Sequence, residues 1–85
     1  MSVIAELRVM LEDPSADLDA MIGEIRSILG EKLKFVKKEP IGFGITALHL
    51  TLLVEDREGG MEPIEKEIRG VVGVGEVDVI SLDLT

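Results

Sequence analysis

Apolar and polar positions alternate from residue 3 to residue 11, with Val3, Ala5, Leu7, Val9 and Leu11 on one side and Ile4, Glu6, Arg8 and Met10 on the other. A period of two belongs to a strand with one wholly apolar face, and it predicts a first strand over residues 3–11. Asp13-Pro14-Ser15 interrupts the pattern. Asp17 follows, a side chain suited to accept from a free backbone N–H in the first turn of a helix. The period then changes. Leu18, Met21, Ile22, Ile25, Ile28 and Leu29 recur at helical spacing, with Asp19, Glu24, Arg26 and Ser27 opposite them. Gly30 is placed to end that helix.

The second half repeats the scheme. A short strand is expected over 32–39, at a sheet edge because Lys32, Lys34, Lys37 and Lys38 crowd it. A turn over Pro40 to Phe43 leads to a third strand over 45–55, whose near-continuous apolar run (Leu48, Leu50, Leu52, Leu53, Val54) suits a central position. Residues 55–60 read as a loop. Ile64, Ile68 and Val71 then mark a second helix, with Pro63 tolerated in its first turn and Glu62, Glu65 and Glu67 suited to its N-terminal dipole end. Gly70, Gly73 and Gly75 are expected to loosen the next connection. The last strand, 76–84, changes phase from Val77 and Val79 to Ile80, Leu82 and Leu84, which implies either a bulge or a change of burial. The order βαββαβ predicts an α+β, ferredoxin-like sandwich: one domain over residues 1–85, with two helices on one face of a four-stranded antiparallel sheet. The handedness of the crossovers puts the first and third strands at the centre.

The stretch between the second and third strands holds the most specific local information. Pro40 fixes its own φ and pushes Glu39 toward extended backbone. Gly42 and Gly44 flank Phe43, one of only two aromatic residues in the chain, the other being Phe35. An aromatic between two glycines at a hairpin tip suits a rigid apolar anchor for a partner. The alternative is that Phe43 folds back as the first core residue of the next strand.

Composition narrows the chemistry. A hydrophobic content of 46% is that of a folded globule, and no apolar run approaches the roughly 18 residues that span a membrane. The first residues lack the basic flank and apolar stretch of a signal peptide, so an intracellular, cytoplasmic protein is expected. A net charge of −8 opposes a direct nucleic-acid partner, although the four clustered lysines suggest either a charge-patterned protein partner or a solvated, aggregation-resistant edge. An RNA-binding sheet would need stacking aromatics and a basic surface, and neither is expected here. His49 is the lone histidine and cysteine is absent, so no nucleophile–base pair, thiolate metal site or cofactor site is expected. His49 reads as a structural residue sharing a strand face with Ala47 and Thr51, and the many carboxylates as solvated groups. The glycines fit no phosphate-binding fingerprint. The chain also lacks Asn and Gln while Glu is plentiful, the bias of a thermophilic source. A melting midpoint above the ordinary mesophile range is the corresponding expectation.

The stretch Glu39-Pro40-Ile41-Gly42-Phe43-Gly44-Ile45, with Ala47-Leu48 and the run closing in Val54-Glu55-Asp56, resembles the exchange domain of translation elongation factor 1-beta. Glu58-Gly59-Gly60 before a Glu-rich helix is similar to the short archaeal form. The resemblance covers essentially the whole chain. It implies a ferredoxin-like fold, without the extra domains of eukaryotic members. It also implies nucleotide exchange, with GDP release from elongation factor 1-alpha, and no covalent chemistry or cofactor. Pro40, Ile41, Gly42, Phe43 and Gly44 are then expected to contact the partner. One departure stands out: eukaryotic members carry a lysine next to last, whereas this sequence closes Ser81-Leu82-Asp83-Leu84-Thr85 with no basic residue after Arg69. Either Asp83 or Leu84 disturbs the partner's site in another way, or exchange depends more on the central loop. The main alternative is a ligand-sensing regulatory domain similar to ACT domains, although Asp13-Pro14-Ser15 stands where those commonly carry glycine. A purely structural subunit is the second alternative.

Overall fold

The computed structural model describes residues 2–55 and 61–85. The elements run β1 (Ser2–Leu11), α1 (Leu18–Leu29), a single 3-10 turn (Gly30–Lys32), β2 (Leu33–Gly42), β3 (Ile45–Glu55), α2 (Glu62–Arg69) and β4 (Val74–Leu84). The expected βαββαβ order holds. All but the first residue of the 55–60 loop, Glu58-Gly59-Gly60 included, lies outside the described residues.

Both helix ends of α1 follow from residues already visible in the sequence. The Ala20 amide donates to Asp17 Oδ1 at 3.1 Å, which satisfies one of the free donors of the first turn. At the other end the Gly30 N–H donates to the Arg26 carbonyl. α2 is shorter than its apolar spacing suggested: it stops at Arg69, and Val71 is buried from the connection beyond it.

The strands form one antiparallel sheet in the order β2-β3-β1-β4, with β1 and β3 central. In register, Ala5, Leu7 and Val9 of β1 face Leu52, Leu50 and Leu48 of β3. These six are fully buried, and Met21, Ile25 and Leu29 of α1 and Ile64 and Ile68 of α2 are buried against them, so both helical stripes cover one face of the sheet. Among the described residues, no helix covers the other face. On it, rows of cross-strand neighbours run Phe35–Thr51–Glu6–Ser81 and Lys37–His49–Arg8–Asp78.

Three features of β4 and its approach needed the three-dimensional neighbours to be seen. The phase change is a bulge: Ser81 lies opposite Glu6 and Val79 opposite Leu7, so Ile80 is the extra residue. Secondly, Gly73 and Gly75 do not loosen the α2–β4 connection. A Cβ at Gly73 would stand 2.6 Å from Met21 Cε, and one at Gly75 would stand 3.0 Å from the Glu12 Cα. Thirdly, Gly73 has φ +96° while its carbonyl accepts from the Glu12 N–H at 2.8 Å. Gly73→Ala is therefore expected to cost about 1–3 kcal/mol, from positive φ and a displaced core methionine together. Urea denaturation measures it, and a loss below about 0.5 kcal/mol would show that Met21 repacks freely.

Candidate functional site

The hairpin between β2 and β3 is tighter and longer than the sequence suggested. Pro40 still pairs within β2, opposite Thr46, and an edge strand tolerates its missing N–H. The expected turn over Pro40 to Phe43 gives way to a two-residue turn, Phe43-Gly44, between strands ending at Gly42 and beginning at Ile45. Phe43 has φ +53° and Gly44 φ +73°. Positive φ at both central positions gives the turn whose twist matches that of the flanking strands. For phenylalanine this backbone costs about 1–2 kcal/mol. Among the described residues Phe43 is the one non-glycine with positive φ. Such strain persists only where the surroundings impose it, and it concentrates at functional positions.

Phe43 is 104% exposed. The alternative in which it folds back into the core is thus overturned. Pro40, Ile41, Gly42 and Gly44 are exposed with it, and a bulge between Pro40 and Gly42 leaves Ile41 without a cross-strand partner.

Asp83 and Leu84 are also exposed, but at the far end of the sheet. They lie in β4 opposite Ile4 and Val3, and Val3 in turn pairs with Val54. Nine residue-to-residue steps along β3 lead from Ile45 to Val54, which at about 3.3 Å each is roughly 30 Å. The seven candidate residues therefore form two patches at opposite ends, not one site.

Between those ends the uncovered face carries a polar cluster. His49 Nε2 donates to Glu6 Oε1 at 3.0 Å, and Ser81 Oγ donates to Glu6 Oε2 at 3.0 Å. His49 Nδ1 stands 3.7 Å from Glu39 Oε2, and the Arg8 guanidinium 3.6 Å from Glu39 Oε1. Arg8 Nε is buried without a hydrogen-bond partner. His49 does share its strand face with Ala47 and Thr51, as its spacing implied. Glu6 and Glu39, by contrast, are not merely solvated. Sequence reasoning missed this cluster because its members come from β1, β2, β3 and β4, and only their even spacing within each strand hinted at a common face.

The hydrogen bond from His49, then that from Ser81, hold the Glu6 carboxyl below the usual glutamate range, with desolvation opposing. A lowered folded-state value means that this contribution is present above the unfolded value, about 4.3. It is lost as pH falls through the folded value. Acid unfolding of Glu6→Gln should therefore show a shallower loss of stability below about pH 4.3 than the wild type. Identical slopes would show that the bonds to Glu6 contribute nothing.

No helix among the described residues is long and apolar enough to cross a membrane. No group of three or more His, Cys, Asp or Glu side chains among them is arranged to hold a metal ion. Kinship places the chain in a family. Residues 4–84 match the family model described as the EF-1 guanine nucleotide exchange domain. The chain belongs to the EF-1 guanine nucleotide exchange domain family. Elongation factor 1-beta of Methanothermobacter thermautotrophicus is 39% identical over 79 residues, covering 91% of this chain and 89% of that protein. The Methanosphaera stadtmanae protein of the same name is 38% identical, with the same coverage. That of Methanoregula boonei is 37% identical over 83 residues, covering 98% and 96%. Among solved structures, the ACT domain from the GTP pyrophosphokinase of Chlorobium tepidum is similar with a TM-score of 0.67. It covers 94% of this chain and 100% of that one, at 19% identity, so this likeness shows the fold alone. As an EF-1 exchange domain, the chain acts in nucleotide exchange during translation elongation, a role that requires no covalent catalysis.

Proposed function

We propose that this chain is one exchange-factor domain over residues 1–85, that its partner is elongation factor 1-alpha in the cytoplasm, and that it promotes GDP release there without turnover chemistry of its own. Membership of the exchange family carries the reading. The fully exposed Phe43 supplies its physical means. An exchange factor binds the GTPase in a form that holds nucleotide poorly, and by linkage each weakens the other's affinity by the same factor. That requires a rigid surface that disturbs a nucleotide site, not a nucleophile or base. The two-residue turn, with Phe43 flanked by Gly42 and Gly44, lets backbone and ring approach the partner closely. A second contact at Asp83 or Leu84, roughly 30 Å away, would disturb the partner's site in another way.

The test is release of a fluorescent GDP analogue from archaeal elongation factor 1-alpha, chased with excess GDP. Acceleration by substoichiometric amounts of this chain is expected. An unchanged rate with folded protein and active GTPase would overturn the proposal.

A further inference from the structure

We propose that the uncovered face of the sheet, centred on Phe35, is the broad contact surface between the two ends of the molecule, and that the GTPase surface it meets is apolar and basic. This rests on the exchange reading above and names what that reading leaves open: how one partner touches both Phe43 and Asp83.

Neither aromatic residue of the chain lies in the core. Phe35 is 71% exposed, on the same hairpin that presents Phe43 at its tip. A phenyl ring left in water forgoes about 1.5–3 kcal/mol of burial. Phe35 is not isolated either. Thr51, its cross-strand partner, neighbours Leu53 along β3, and Leu53 pairs with Ile4; both of these apolar residues are 37% exposed. Beside Phe35 opens a cleft of about 590 Å³, bordered by Glu6, Lys37, Glu39, His49 and Thr51. The arrangement is a large ring at the margin of a half-wet polar cluster, the composition of an interface anchor with its rim.

Charge gives the partner's chemistry. In the rows that Ile4 to Met10 define, the face carries the carboxylates of Glu6, Glu39, Glu76, Asp78 and Asp83 against the cations of Arg8 and Lys37. Arg8 already stands beside Glu39. The face is net acidic, and a basic surface complements it. Geometry gives the continuity. Asp83 lies opposite Ile4, in phase with Ser81 and Glu6, so one face reaches from the C-terminal candidate to the hairpin that bears Phe43.

The experiment compares the wild type, Phe35→Ala and Val72→Ala, each titrated against archaeal elongation factor 1-alpha for affinity and assayed for GDP release. Val72 is 84% exposed in the connection before β4 and serves as the surface control. Phe35→Ala should bind roughly tenfold or more weakly with an unchanged melting midpoint, and Val72→Ala should behave as the wild type. The wild-type affinity should fall with added salt. If the wild type accelerates release and Phe35→Ala binds within twofold of it, this inference fails while the exchange reading stands. If the wild type binds without accelerating release, yet Phe35→Ala weakens binding, the surface assignment stands and the exchange reading fails. A wild-type dimer that Phe35→Ala dissociates would overturn the inference, because a second copy would then cover the face.

Discussion

Phe43→Ala should lower the affinity for elongation factor 1-alpha by about thirtyfold or more, the scale of an aromatic interface anchor, and slow GDP release in proportion. The fold should be unaffected, because the ring is fully exposed and has no core contacts to lose. Phe43→Gly makes the sharper comparison. Glycine adopts φ +53° without the penalty that phenylalanine bears, so this variant should be as stable as the wild type or more stable by up to about 1 kcal/mol. It should nevertheless lose as much exchange activity as Phe43→Ala. Stability and activity would then move in opposite directions at one residue, which is the pattern of a position kept strained for its function. Wild-type release rates in both variants would remove Phe43 from the partner surface, whatever its exposure.

Leu50→Ala is expected to have the largest effect on folding. Leu50 is fully buried in β3, with Leu7 opposite it on one side and Val36 on the other. Truncation at such a site loses transfer free energy and leaves a cavity that two hydrogen-bonded neighbours cannot close, a cost of about 2–5 kcal/mol. Small domains have about 5–15 kcal/mol in total, so the variant should unfold at markedly lower urea concentration with an unchanged slope. Thr51→Ala, one residue along but on the uncovered face, should cost under about 1 kcal/mol. Equal losses at both positions would contradict the one-sided core.

Much of this architecture was legible because it is local. The alternation around Leu7, the cap at Asp17 and the lysines that place β2 at an edge depend on residues a few positions apart. The turn was displaced by two residues because Pro40 and Gly42 both signal a break, yet an edge strand accommodates them and the chain reverses only at Phe43-Gly44. The choice at Ile80 between bulge and burial change depended on where β1 lies, which β4 alone does not encode. Gly73 and Gly75 look like flexible links until Met21 and the Glu12 backbone are seen against them. The Glu6–His49 bond joins residues 43 positions apart, and no spacing rule reaches that far. For the site, Phe43 in the Pro40-Ile41-Gly42-Phe43-Gly44 stretch was readable as an anchor or a core residue, and its full exposure excludes the core. Phe35 was harder to place, since a strand aromatic is usually core and only the register shows which face it occupies. No aromatic was expected on the sheet surface, and Phe35, opposite Thr51 on the uncovered face, is one.

The two edges of the sheet have opposite charge character. Lys34, Lys37 and Lys38 lie along β2, and Glu76, Asp78 and Asp83 along β4. The sheet therefore carries a charge dipole across its own plane. A partner with a field of its own exerts a torque on such a dipole while the two are still apart, within a screening distance of about 8 Å at physiological salt. The lysines that keep the β2 edge from pairing with other strands thus also help set which way round the molecule arrives.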